Sequence, residues 1–161
     1  MPSKNLSQRE ISRRNVKYEI QIFNLGVELK LAHLENKGKK AVRNRKDDFI
    51  GSIYTDSILL HVRNLYKFFK SENGAQANDY LHIKWKPTKF NKINKNLIAD
   101  INNYRSHISK TRKMGKGRPI WEEIIEDLRN EIAEVYAEFR RNLSDREIEH
   151  WPEWKELIEI K

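Results

Sequence analysis

The spacing of the apolar residues is the feature that most restricts how this chain can fold. They recur every three or four positions over four long stretches, and the 161 residues include only six glycines and four prolines. This periodicity is typical of amphipathic helices, and no stretch shows the strict alternation of a half-buried strand. We therefore predict one all-α domain over residues 1–161, a four- to five-helix up-and-down bundle.

The first half of the chain predicts two helices joined by a basic linker. Ser7 and Glu10 have the spacing of a capping box, which would begin a helix over residues 7–36. Residues 37–46 are rich in lysine and arginine and form the linker. A second helix is predicted over residues 47–72. Its apolar residues lie on two sides, so we expect it to be the central helix of the bundle or part of a dimer interface.

The second half predicts two further long helices and a short terminal one. The elements are a loop over 73–90, a helix over 91–112, a Gly/Lys loop over 113–118, a helix over 119–142 and a short terminal helix over 144–160. Ser144 and Glu147 again have capping-box spacing, and Pro152 interrupts the helix that they would begin.

The charge of the chain is concentrated in its middle. The formal net charge is +9, but residues 80–121 contain eleven basic residues and one acidic residue, whereas residues 122–161 contain six basic and thirteen acidic ones. This asymmetry predicts either an anion-binding surface in the middle of the chain or charge complementarity between its parts.

Composition also excludes several classes of protein. No apolar run approaches the roughly 18 residues of a membrane-spanning helix, and the N-terminus lacks the apolar run of a secretory signal. The absence of cysteine excludes disulfides, thiol nucleophiles and thiolate metal sites. We therefore expect a soluble, cytoplasmic protein that makes no contact with a membrane.

The histidines do not predict a metal site. They are His33, His61, His82, His107 and His150. Their spacing matches no usual metal-binding pattern such as His-Glu-x-x-His, and the chain has neither a nucleophile elbow nor a dinucleotide-binding fingerprint. We expect no metal and no cofactor, so any catalysis would use His, Arg, Asn, Tyr or carboxylate side chains.

A basic stretch that contains aromatic residues is a candidate for binding RNA or DNA. Cations contact phosphates and aromatic rings stack on bases. The candidate residues are Lys84, Trp85, Lys86, Lys89 and Lys92, followed by Lys110, Lys113, Lys116 and Arg118. The alternative is a solvated basic loop in which Trp85 and Phe90 are anchored in the core. The Gly/Lys loop lacks the P-loop pattern, so we interpret it as the end of a helix.

Two segments resemble a group of small bacterial and phage helical proteins. The first, His61-Val62-Arg63-Asn64-Leu65-Tyr66-Lys67-Phe68-Phe69, resembles a helix of pattern His-x-Arg-Asn-Leu-x-x-Phe-Phe. The second, Ile101-Asn102-Asn103-Tyr104-Arg105-Ser106-His107-Ile108-Ser109, is similar to a later Ile-Asn-Lys-x-x-x-His-Leu-Thr helix that ends in arginine, here Arg112. The group is related to the HEPN superfamily (higher eukaryotes and prokaryotes nucleotide-binding). The resemblance covers Ile50 to about Arg112.

This resemblance implies an up-and-down bundle of four or five helices, often dimeric, and in many members a metal-independent endoribonuclease. The usual signature is an arginine and a histidine separated by four to six residues. Here His107 would be the motif histidine, and Asn102 occupies the place where the arginine is expected. The guanidinium that stabilises the transition state would then have to come from Arg63, Arg105 or Arg112.

Helix geometry leaves a structural alternative open for these residues. Side chains five residues apart point about 140° away from each other, so Asn102 and His107 converge only in a distorted helix or across a dimer. Asn103 lies four residues before His107 and shares its face. In the alternative, His107 is a structural histidine bonded to Asn103 or to the second helix. Arg63 and Asn64 would likewise satisfy buried backbone groups or a carboxylate of a neighbouring helix.

Three functional hypotheses follow. The first is a HEPN-like protein that binds or acts on RNA, as a metal-independent endoribonuclease of a toxin or phage-defence system, with His107 as base and arginines as phosphate ligands. The second is a non-catalytic helical module whose basic surface binds nucleic acid or an acidic protein. The third is a small adaptor or inhibitor that contacts a partner protein through an exposed apolar side of the second helix.

Overall fold

The computed structural model describes residues 7–38, 45–71, 76–105 and 121–158, and every regular element in these ranges is helical. The elements are α1 (Gln8–Gly38), α2 (Arg45–Lys70), a 3-10 turn (Ala77–Asp79), α3 (Lys95–Arg105), α4 (Trp121–Arg141), α5 (Asp145–Ile148) and α6 (Trp154–Ile158). Leu81 and Leu143 form an isolated β-bridge, but the described ranges contain no strand. The predicted all-α class is confirmed.

The helices α1 and α2 pack antiparallel to each other. Lys37 near the end of α1 forms an ion pair with Asp48 near the start of α2, and Glu19 contacts His61, which lies toward the end of α2. Between these contacts, a Cβ added to Gly26 would lie only 3.1 Å from a side chain of α2. A residue without a side chain therefore allows the two helices to approach closely at this level.

A buried lysine joins three helices at one end of the bundle. Lys30 of α1 is 3% exposed, and its ammonium donates hydrogen bonds to the carbonyl oxygen of Gly51 at 3.0 Å and to Glu122 at 2.9 Å. Burial opposes ionisation of Glu122, but the hydrogen bond and charge of Lys30 hold its pKa below the ordinary 4.5. The buried ammonium thus bonds to α2 and α4 at the same level of the bundle.

The remaining contacts establish the direction of α3 and α4. At the far end of α2, the rings of Phe69 and Phe139 pack edge to face, so α4 runs parallel to α2. Phe90, just before α3, packs on Tyr66 and Phe69, whereas Asn102 contacts an earlier turn of α2. The helix α3 is therefore antiparallel to α2, and α1 to α4 form an up-and-down bundle.

Aromatic rings fill the end of the core where α2 and α4 finish. Trp151 is fully buried, and its ring centroid lies 4.9 Å from that of Phe139. Phe68 and Tyr80 pack around the same pair. The prediction that the second helix is buried on two sides is confirmed only in part. Phe68 near the end of α2 is buried, but Ile53 near its start is 49% exposed.

The two predicted capping boxes have different outcomes. Before α1, the Ser7 N–H donates to the Glu10 carboxylate at 2.8 Å and the Glu10 N–H donates to the Ser7 hydroxyl at 3.3 Å, as predicted. The prediction for Ser144 is wrong, because its side chain makes no capping hydrogen bond. The Glu147 carboxylate instead pairs with Arg9 of α1.

Several predicted boundaries also change. The helix α2 ends at Lys70 because Ser71 adopts a left-handed conformation, with φ of 58°. The third helix begins at Lys95 rather than at residue 91, and the terminal helix is two short helices, α5 and α6. The predicted Gly/Lys loop over 113–118 lies outside the described residues. Within the described ranges, no helix combines the length and apolar character that crossing a membrane requires.

Candidate functional site

The bundle brings together Arg63 of α2 and Asn102 of α3. Nη1 of Arg63 donates to Oδ1 of Asn102 at 3.4 Å, which is a long hydrogen bond. The Nε atom of Arg63 is buried and has no acceptor. A guanidinium has five N–H donors, so Arg63 retains donor capacity beyond its contact with a neutral amide.

This contact joins two residues that the family resemblance identifies for different reasons. Asn102 stands where the motif arginine is expected, and Arg63 is one of three arginines that could replace it. The structure places the guanidinium of Arg63 beside Asn102, because α2 and α3 pack against each other. Arg105 is the last described residue of α3.

The other predicted residues of this site lie outside the described ranges. They are the predicted catalytic residues His107 and Arg112 and the predicted nucleic-acid ligands Lys110, Lys113, Lys116 and Arg118. The contact between Arg63 and Asn102 is therefore the described part of the predicted catalytic site.

On the other side of α2, a polar cluster connects that helix to α1. Oε2 of Glu19 lies 2.6 Å from Nδ1 of His61, and Nδ2 of Asn64 donates to both carboxylate oxygens at 3.1–3.2 Å. His61 is buried. The structural alternative for Asn64 is confirmed, since it bonds to a carboxylate of a neighbouring helix. Arg63 has no such role in the described residues, because it points toward α3 instead.

Two carboxylates of α4 hold the pre-α3 loop (residues 84–93). Glu131 accepts hydrogen bonds from three consecutive backbone N–H groups, those of Asn91, Lys92 and Ile93, at 2.7–3.0 Å. The start of α3 is set locally by Asn94, whose Oδ1 accepts hydrogen bonds from the N–H groups of Asn96 and Leu97 at 3.0 Å and so caps a helix that begins at Lys95. Glu131 satisfies the three N–H groups of the loop that precedes this cap. Sequence reasoning missed this role of Glu131, although an acidic residue beside an apolar helical stripe is a detectable signal.

The second of these carboxylates, Glu138, lies two turns farther along α4. It accepts hydrogen bonds from the indole N–H of Trp85 at 3.2 Å and from the N–H and hydroxyl of Thr88 at 3.0–3.3 Å. The spacing of Glu131 and Glu138 puts both on one face of α4, and both are buried. Together they fix the path of the pre-α3 loop along the bundle.

The prediction that Trp85 stacks on nucleic-acid bases is wrong for this structure. The side chain is 6% exposed, and its ring packs against Phe69 and Phe139. The alternative, in which Trp85 is anchored in the core, is confirmed. Phe90 is half-buried and packs on Tyr66.

Lysines around this buried tryptophan remain on the surface. Lys84, Lys86 and Lys89 are exposed, and a cleft of about 560 Å³ is lined by Lys84, Lys86, Lys70 of α2, and Asn78. Lys92 is exposed as well, but it forms an ion pair with Asp127 of α4. Phosphate contacts are therefore available to three of the predicted lysines without competition from that carboxylate.

A second cavity was not anticipated from the sequence. It lies where the start of α1 meets α5 and contains arginines and histidines from three separate parts of the chain. Arg9 and Arg13 are spaced to share one helix face, but no pattern relates them to residues 144–150. Within the described residues, no group of three His, Asp or Glu side chains is arranged to hold a metal ion.

Comparisons with known proteins find no relative of this chain. No family model matches it, and neither the curated proteins nor the solved structures include a significant match.

Proposed function

We propose that this protein is a HEPN-like, RNA-binding protein that cleaves RNA without a metal ion, as a toxin or phage-defence ribonuclease. His107 is the general base and Arg63 is the phosphate ligand. The observation that carries the proposal is the contact between Arg63 and Asn102, five residues before His107. A guanidinium from α2 thereby stands beside the position that the motif assigns to arginine.

The residue types suit the chemistry of metal-independent RNA cleavage. The base takes the proton of a 2′-hydroxyl, the 2′-oxygen attacks phosphorus, and the 5′-oxygen leaves, so that a 2′,3′-cyclic phosphate remains. Histidine suits the proton transfer, and a guanidinium stabilises the negative charge that develops on the phosphate oxygens. In the described residues, the hydrogen bond of Arg63 to Asn102 occupies one of its five N–H donors.

The test is cleavage of labelled structured RNA and tRNA in the presence of EDTA. We expect the wild-type chain to produce 2′,3′-cyclic phosphate ends and His107→Ala to produce none. Glu134→Gln changes an exposed residue of α4 and is the matched control, which should cleave like the wild type. No cleavage by wild-type protein of native helical content would refute the ribonuclease proposal.

A second candidate function is non-catalytic binding of nucleic acid. The replacement of the motif arginine by Asn102 favours it, and so does the exposure of Lys84, Lys86 and Lys89 around a buried Trp85. Such a surface contacts phosphates without stacking on bases, so its affinity would fall steeply with salt and show little dependence on sequence. RNA binding without cleavage would support this candidate.

A further inference from the structure

A pocket of about 370 Å³ lies between the start of α1 and α5, and we call it the α1/α5 pocket. Its charged and titratable lining residues are Arg9, Arg13, His82, Arg146, Glu147 and His150. These residues come from three parts of the chain that are more than 60 residues apart in sequence. None of them belongs to the Arg63 and Asn102 site or to the pre-α3 loop.

Direct contacts assemble this pocket. The Tyr80 hydroxyl donates to the carbonyl oxygen of Arg9 at 3.3 Å, and the Arg9 guanidinium lies over the Tyr80 ring, 5.1 Å from its centroid. Arg9 also forms an ion pair with Glu147 at 2.9 Å. The β-bridge between Leu81 and Leu143 joins the segment that contains Tyr80 to the residues just before α5. The basic side chains are therefore presented by a packed junction of the fold.

Cations outnumber carboxylates in the α1/α5 pocket. Three guanidinium groups face the single carboxylate of Glu147, which leaves two positive charges even when both histidines are neutral. Nη1 of Arg13 lies 3.6 Å from Oε2 of Glu147, and both atoms are buried without a hydrogen-bond partner. One carboxylate therefore forms a close ion pair with Arg9 and leaves Nη1 of Arg13 without a hydrogen bond.

We propose that the α1/α5 pocket binds a phosphate group, either the terminal phosphate of a nucleotide or a phosphodiester of RNA. Arg9 and Arg146 are exposed and can donate paired N–H groups to phosphate oxygens. His82 and His150, also exposed, supply further N–H donors at the rim. The volume lies within the range of small-molecule sites. The RNA alternative rests on the proposed function, whereas the nucleotide alternative does not.

The test is titration of the isotope-labelled full chain with three probes, followed by NMR at constant ionic strength. The probes are AMP, adenosine, which lacks only the phosphate, and a short oligouridylate without terminal phosphates. Arg146→Gln removes an exposed pocket cation, and Arg14→Gln removes an exposed arginine of α1 that does not line the pocket. Comparison of these two variants distinguishes phosphate binding in the α1/α5 pocket from nonspecific attraction of phosphate to a positively charged protein.

We expect AMP or the oligouridylate to shift resonances of the pocket residues, while adenosine does not. Arg146→Gln should weaken binding by about tenfold and Arg14→Gln by less than about twofold. Binding of AMP identifies a terminal phosphate as the ligand, and binding of the oligouridylate alone identifies a phosphodiester. Failure of both probes, or equal losses in the two variants, would overturn the proposal. Phosphate binding by a chain that does not cleave RNA would refute only the ribonuclease proposal.

Discussion

Carboxylates have opposite surroundings in the pre-α3 loop and in the α1/α5 pocket. Glu131 and Glu138 are surrounded by backbone, hydroxyl and indole donors that come from a single loop. The carboxylate of Glu147 forms ion pairs with Arg9 at 2.9 Å and with Arg13 at 3.6 Å, and its Oε2 accepts no hydrogen bond. The loop is a region in which donors and acceptors balance, and the pocket is a region in which cations are in excess.

This difference distinguishes charged side chains that stabilise the fold from charged side chains that can bind a ligand. The lysines of the pre-α3 loop extend from a backbone whose path is held by buried carboxylates, so their removal should leave the fold intact. The arginines of the α1/α5 pocket are themselves part of a junction between helices, so binding and stability are linked there. Four variants test this distinction, and they follow in order of decreasing expected effect.

Glu131→Ala should have the largest effect. It leaves three backbone N–H groups of residues 91–93 without their acceptor, and Glu131 is only 8% exposed. We expect the free energy of unfolding to fall by about 3 kcal/mol, measured by urea denaturation. Glu134→Ala, one turn away and exposed, should cost less than about 0.5 kcal/mol. Equal losses in the two variants would mean that Glu131 does not hold the loop.

Replacement of Lys84, Lys86 and Lys89 by glutamine should act on RNA binding alone. Each phosphate contact to single-stranded RNA contributes about 0.7 to the slope of log affinity against log salt, so the slope should decrease by about 2. The free energy of unfolding should be unchanged. Lys92→Gln is the control, because Asp127 already pairs with that ammonium. A triple variant with the wild-type slope would exclude this surface from RNA binding.

Glu147→Gln should have opposite effects on binding and on stability. Loss of the carboxylate leaves Arg9 and Arg13 without their counter-ion, so AMP should bind about threefold more tightly. The free energy of unfolding should fall by about 1–2 kcal/mol, because Glu147 and Arg13 are largely buried although Arg9 is half-exposed. Glu149→Gln, on the exposed side of the same segment, should change neither quantity. Weaker AMP binding in Glu147→Gln would mean that Glu147 positions the arginines rather than opposing the ligand.

The capping box before α1 provides the smallest effect and a pH dependence. Backbone and hydroxyl hydrogen bonds from Ser7 hold the pKa of Glu10 below its ordinary value of 4.5. The ionised carboxylate therefore stabilises α1 at neutral pH, and this contribution is lost as the pH falls through the lowered pKa. Glu10→Gln should unfold at a slightly lower temperature than the wild type at neutral pH, and the difference should vanish in acid. A difference that persists in acid would contradict this explanation.

The sequence predicts the long helices well because their burial is a periodic, local property. The start of α1 also follows from two residues, Ser7 and Glu10, that are close in the chain. The path of residues 91–93 could not be predicted, because the carboxylate that holds their N–H groups comes from about forty residues later. Burial of Trp85 depends in the same way on Glu138.

The same limit on prediction from local sequence applies to the candidate sites. Arg63 and Asn102 were each identified through the family resemblance, but their contact depends on how α2 packs against α3. The α1/α5 pocket combines residues from both ends of the chain, which no spacing pattern relates. Sequence patterns thus predict which residues are candidates for a site. Which residues distant in sequence lie in contact is known only from the tertiary structure.

The central claim is that Arg63 supplies the guanidinium that the motif position lacks. Its most direct test is RNA cleavage in EDTA by the wild type, Arg63→Ala, and Arg63→Ala combined with Asn102→Arg. We predict that Arg63→Ala loses cleavage by about 100-fold or more and that Asn102→Arg, which restores an arginine at the motif position, recovers much of it. Unchanged cleavage by a folded Arg63→Ala variant would contradict the claim.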